Sequence, residues 1–193
     1  MQHWVAQAVI IARTITTGVT PMPRYVITFI GDDRTGIVEQ LAAAISHHGG
    51  NWLESRVSQL EGKFAGIISI ELDGSVAELE LALKQLPAGT WSAHVTPADG
   101  APSAQGSNIA LALVGPDRPG IVREISSALA QASISVVSMD TALDNAAFTG
   151  EPLFRATLKA YAPTTIPREQ WADRLFAIGD AMGLDIDLDD PAS

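Results

Sequence analysis

The residues best equipped for chemistry form one short string, and the chain contains it twice. Gly31-Asp32-Asp33-Arg34-Thr35-Gly36-Ile37-Val38 returns 84 residues later (115 minus 31) as Gly115-Pro116-Asp117-Arg118-Pro119-Gly120-Ile121-Val122. Each string joins an apolar strand-like run to an amphipathic helix-like run. Gly36 and Gly120 stand at the helix start, where backbone N–H groups lie open at the positive end of the helix dipole. A ligand carboxylate can dock there. Asp33 and Asp117 can cap the helix or meet an ammonium group. Pro119 stands where a first helical turn accepts proline. Asn51, on the neighbouring strand, offers both a donor and an acceptor, as a zwitterion requires. The matching residue of the second copy, Ser135, is shorter and reaches less. The candidate ligand-binding residues are therefore Asp32, Asp33, Arg34, Thr35, Gly36, Ile37 and Asn51, with Asp117, Arg118, Pro119, Gly120, Ile121 and Ser135 in the second copy. The same Gly, Asp and Pro residues also suit a turn whose only task is backbone geometry and capping, and that reading stays open.

Other chemistry is poorly provided for. The glycine spacing of both strings is that of a phosphate loop, but Ile-Val follows where such a loop needs Lys and Ser or Thr. His47 and His48 are adjacent, so on a helix they point about 100° apart and cannot share a metal as an i, i+4 pair does. Capping or solvent contact is the expected role for them, as solvation is for the acidic tail of Asp185, Asp187, Asp189 and Asp190. No Gly-x-Ser-x-Gly elbow is present. The chain has no cysteine, which removes thiolate nucleophiles, disulfides and the usual structural zinc sites. No catalytic residue, metal site or cofactor is expected.

A net charge of -10, with 12 Lys and Arg in no cluster, argues against direct nucleic-acid binding. No apolar run reaches 18 residues, so no transmembrane helix is expected. Met1–Pro23 carries an apolar patch, Trp4–Ala12, but Arg13 follows it, unlike the positive start of a secretory signal. The segment reads as an extension outside the fold, disordered or a loosely docked helix, and Met22 is an alternative start.

Around the strings the two copies share one pattern. Arg24–Ile30 reads as a strand, and Val38, Leu41, Ala42 and Ile45 as a helical stripe ended by Gly49-Gly50. Asn51–Leu60 and Phe64–Leu72 read as strands about a Glu61-Gly62-Lys63 turn. Val76, Leu79, Leu83 and Leu86 stripe a second helix, and Thr90–Thr96 is a fourth strand. The second copy follows with strands at Ile109–Val114, Ile134–Leu143, Leu153–Tyr161 and Leu184–Leu188. Its helices are Ile121–Gln131 and one striped by Trp171, Leu175, Ile178 and Met182. Of Trp52 and Leu53, one is expected to face helices and the other a pairing surface. The expected organisation is an extension over 1–23, a domain over 24–97, a Pro/Gly/Ala/Ser linker over 98–107 and a domain over 108–190. The fold class is α+β: two tandem ferredoxin-like βαββαβ domains, each an antiparallel sheet with helices on one face. A unit of about 75 residues buries little core alone, so pairing of sheets within or between chains is expected.

The Gly-x-Asp-Arg-Pro-Gly-Ile-Val string at Gly115–Val122 resembles the loop of ACT domains. The first copy matches it with Asp32 at the variable position and Thr35 for Pro. Gly49-Gly50-Asn51-Trp52 resembles that family's entry to its second strand. Gly50–Arg56 and Thr149–Phe154 are similar to the tandem-ACT proteins grouped with the glycine cleavage system transcriptional repressor. The resemblance spans Arg24–Asp190. It implies a cytoplasmic, non-catalytic homodimeric regulator that binds a small amino acid such as glycine at domain interfaces. It further implies action on a protein partner, a DNA-binding activator in the repressor group, without contact to DNA. The departures at Thr35 and Ser135 keep a second reading open, a structural dimerisation or interaction module that has lost its ligand. A remnant of an amino-acid- or folate-metabolising enzyme is a third reading, disfavoured because two such domains use nearly the whole chain.

Overall fold

A computed structural model describes residues 22–86, 90–98, 106–145 and 150–189. Nearly all of the 1–23 extension, most of the 98–107 linker and the sequence Asp190–Ser193 lie outside the described residues. The chain divides after residue 100 into two compact units.

The first unit runs β1 (Arg24–Asp32), α1 (Ile37–His47), β2 (Gly50–Leu60), β3 (Lys63–Leu72), α2 (Val76–Lys84) and β4 (Trp91–Pro97). The second runs β5 (Ser107–Pro116), α3 (Ile121–Gln131), β6 (Ser135–Asn145), β7 (Pro152–Ala162), α4 (Arg168–Met182) and β8 (Asp185–Asp189). The sheet orders are β2-β3-β1-β4 and β6-β7-β5-β8, with every neighbouring pair antiparallel. This is the βαββαβ arrangement in duplicate.

Alternation builds each core. In β1, Ile27 and Phe29 are buried while Thr28 and Ile30 are exposed. Ile27 pairs with Ile68 on one side and Val95 on the other, so one inward row crosses three strands. Ile68, Ile70 and Leu72 share that inner face, as their spacing requires. Leu79 and Leu83 of α2 close over them, and Leu86 packs on the same core just beyond the helix end. In the second unit the inner rows of β5 and β7 meet Ile125 and Leu129 of α3 and Trp171 and Leu175 of α4.

The inner stripe of α1 differs from the expectation in phase. Ile37, Leu41 and Ile45 are buried, whereas Val38 is 46% exposed and Ala42 is exposed. Ile37 is the first helical residue, and three positions spaced by four from it define the inward line.

The turns follow from backbone chemistry. Glu61 and Gly62 both have positive φ (49° and 73°), the tight two-residue hairpin turn that joins β2 to β3. Ser75 caps α2 by accepting from the Glu78 N–H at 3.4 Å. Gly183, at φ 67°, closes α4 while the Leu184 N–H donates to the Gly179 carbonyl at 2.8 Å. Each hairpin edge strand carries a register shift at the same place in its unit, between Trp52 and Glu54 in β2 and between Val136 and Ser138 in β6.

Candidate functional site

The duplicated strings form the β1–α1 and β5–α3 connections. Both are pinned to the adjacent hairpin end: the Asp33 N–H donates to the Gly62 carbonyl at 2.9 Å, and the Asp117 N–H to Pro152 at 3.0 Å. Each ends in a glycine N-cap held left-handed, Gly36 at φ 86° and Gly120 at φ 89°. A side chain at either place would strain the backbone although the space beside it is open. Neither helix start has a side-chain cap. Asp33 and Asp117 thus leave the helix amides alone, and both residues are exposed. Pro119 lies one residue before the Gly120 N-cap, in the turn and outside the first helical turn where it was expected. Ile37 and Ile121 are buried beneath the loops and serve the cores.

Asp32 is committed to the scaffold. Its carboxylate accepts from the Lys63 ammonium and, at 2.9 Å, from the Thr90 N–H, tying β1 to β3 and to the start of β4. These bonds, Lys63 first, hold its carboxyl below the usual value. Thr35 is exposed in the turn.

The two loop arginines differ. Arg118 forks onto Glu124 with two hydrogen bonds, Nη1 to Oε1 at 2.8 Å and Nη2 to Oε2 at 2.6 Å. That pairing lowers the Glu124 pKa and raises that of Arg118. The corresponding helix residue in the first unit is Gln40. Its amide oxygen accepts a single bond from Arg34 Nη2 at 2.6 Å. The Arg34 Nε is buried without an acceptor, alone among the buried side-chain nitrogens and oxygens of the described residues. Sequence reasoning treated the two arginines alike. The signal that separates them, Gln40 against Glu124 at the common offset, was legible.

Asn51 does not join the loop of its own domain. β2 runs parallel to β1 across β3, so Asn51 pairs with Glu71, which pairs with Arg24 at the start of β1. The loop lies beyond the other end of β1, eight residues away, roughly 26 Å at the rise of an extended strand. Ser135 is placed likewise, across Tyr161 from Asn108. Both are exposed on the sheet face away from the helices. Trp52 packs against the core while Leu53, the extra residue of the register shift, is 39% exposed. His48 Nδ1 bonds the Ala44 carbonyl at 2.8 Å, a helix-end role. Among the described residues no group of three or more His, Asp or Glu could hold a metal, and no helix is long and apolar enough to cross a membrane.

Two such units in tandem, each with its strand–loop–helix site, define a duplicated ferredoxin-like protein. Residues 24–90 match the family model of the ACT domain. That match lies within the first unit, and the second unit repeats its architecture, so the chain has a two-domain ACT-like arrangement. No curated protein matches it in sequence. Its fold is similar to that of an unknown protein from Galdieria sulphuraria, with a TM-score of 0.74 and 28% identity over 87% of this chain and 98% of the other. It is also similar to a protein assigned as a glycine cleavage system transcriptional repressor, with a TM-score of 0.65 and 18% identity over 88% of this chain and 98% of the other. At that identity the second likeness concerns the fold. ACT domains are regulatory modules that typically bind small amino acids.

Proposed function

We propose that this chain is a regulatory protein that binds a small amino acid, glycine or a near relative, at interfaces between ACT domains. Binding modulates a protein partner in amino-acid metabolism, of which a DNA-binding activator is one form, and the chain itself neither catalyses a reaction nor contacts DNA. It works as a homodimer in the cytoplasm. The observation that carries this reading is the first loop: uncapped helix amides beside an arginine that no carboxylate of the described residues neutralises. The reading also assigns Asn51, at the opposite end of the sheet, to meet the loop of another domain. A ligand held by both groups would therefore report on how domains are assembled, through its differential affinity for one arrangement.

A thermal-shift screen with the twenty amino acids, run also on Asn51→Ala, tests this. A ligand that binds only the folded state stabilises it by about 2.7 kcal/mol at a hundredfold excess over Kd. The expected result is a rise with one small amino acid that the variant loses. No rise with any of them would discard the ligand and leave the other reading, a structural dimerisation or interaction module. That reading is favoured by the second unit, whose loop arginine is already satisfied by Glu124.

A further inference from the structure

We infer that the two loops have diverged into one open and one self-occupied carboxylate site: Arg34 receives the carboxylate of a small ligand, and Glu124 fills the equivalent place on Arg118. This rests on the proposed ligand-binding reading and names which copy is functional and what closes the other.

The argument starts from charge. A guanidinium has five N–H donors in a planar fork that fits a carboxylate in two parallel bonds. Arg118 has that partner within its own domain. A ligand approaching it must displace a carboxylate tethered six residues away, whose effective concentration is high. Arg34 uses one donor, on a neutral amide oxygen. Gln40 therefore holds the guanidinium in place and leaves its charge uncompensated. Arg34 is also partly buried, with its Nε wholly enclosed and unbonded. Removing a cation from water without a counter-charge is costly, so an external carboxylate gains more at Arg34 than at an exposed arginine. Gln and Glu have nearly the same shape, so the difference between the loops comes down to one charge at positions 40 and 124.

Reciprocal substitution in the full-length chain tests this. Sodium acetate serves as the probe, with sodium chloride at equal ionic strength as the control. The arginine Nε–H signals are followed by NMR and assigned with Arg34→Lys and Arg118→Lys. Wild type should show a saturable acetate shift at Arg34 and none at Arg118. Gln40→Glu should weaken the Arg34 response about tenfold or more, the loss expected for a charge-assisted bond. Glu124→Gln should create a response at Arg118. Both variants exchange near-isosteric residues on a helix surface, and an unchanged thermal melt of the first unit confirms that Gln40→Glu is folded. Equal response of the two arginines in wild type, no response above chloride, or indifference to either substitution overturns the inference. Acetate has no ammonium group, so a blank amino-acid screen with the acetate pattern intact would discard the amino-acid reading alone. An amino acid that binds wild type and Gln40→Glu equally would discard this inference alone.

Discussion

Gly31 makes the position of the first loop depend on one aromatic ring, and Gly31→Ala should show it. Gly31 pairs with Trp91 across β1 and β4. A Cβ on Gly31 would lie 2.2 Å and 2.9 Å from two ring carbons of Trp91 and 3.2 Å from the Thr90 carbonyl oxygen. The ring has little freedom to withdraw. Its Nε1 donates to the Leu83 carbonyl at 2.7 Å, and it stacks on Phe29 with centroids 5.3 Å apart. Gly31 is absent from the positive-φ positions, so the penalty is steric and not one of backbone strain. Overpacking of this kind costs about 1–3 kcal/mol. With melting temperatures falling about 4–8 °C per kcal/mol for a small domain, the loss is readily measured by calorimetry. A Trp91→Leu background supplies the check. Leucine frees the space above Gly31, so the two substitutions should couple by about 1 kcal/mol or more in a double-mutant cycle. An equal cost of Gly31→Ala in both backgrounds would refute the argument that the ring sets the constraint.

Three further outcomes follow from the described contacts. Leu79→Ala opens a cavity at a fully buried site and should destabilise the first unit by about 2–5 kcal/mol in urea melts. Ser75→Ala removes the α2 cap and should cost about 1 kcal/mol by the same measurement, with a loss near zero arguing against the cap. The Glu124 carboxyl is held below its ordinary value of 4.5 by Arg118, so its contribution exists above that pH and disappears as pH falls through the lower folded value. The stability gap between wild type and Glu124→Gln should therefore be widest at neutral pH and close on acidification, and a pH-independent gap would refute the role given to the pair.

Much of the fold was legible because periodicity and punctuation agree. Ile68, Ile70 and Leu72 alternate into the core as their spacing requires, and Gly62 stands where the hairpin needs positive φ. The phase of α1 was misread because Val38 and Ala42 are apolar yet exposed, so residue type alone does not mark the inward line. The loops themselves were found from glycine and charge, but their inner workings depend on tertiary placement. Asp32 carries the charge expected of a ligand group, while its bonds go to Lys63 and Thr90, neither of them near it in sequence. Asn51 opens the next strand, and the direction of that strand puts it at the far end of the sheet from the loop.

The shifted register in β2 and β6 also orders events in the history of the chain. The surplus residues, Leu53 and Val137, stand at the same offset of 84 (137 minus 53) that relates the two loops. An irregularity shared at the same place in both copies is most simply older than the duplication that the repeat implies. The difference between Gln40 and Glu124 distinguishes the copies and so arose afterwards. The irregular edge is thus an ancestral property of the scaffold, whereas the charge at the loop is where the descendants parted.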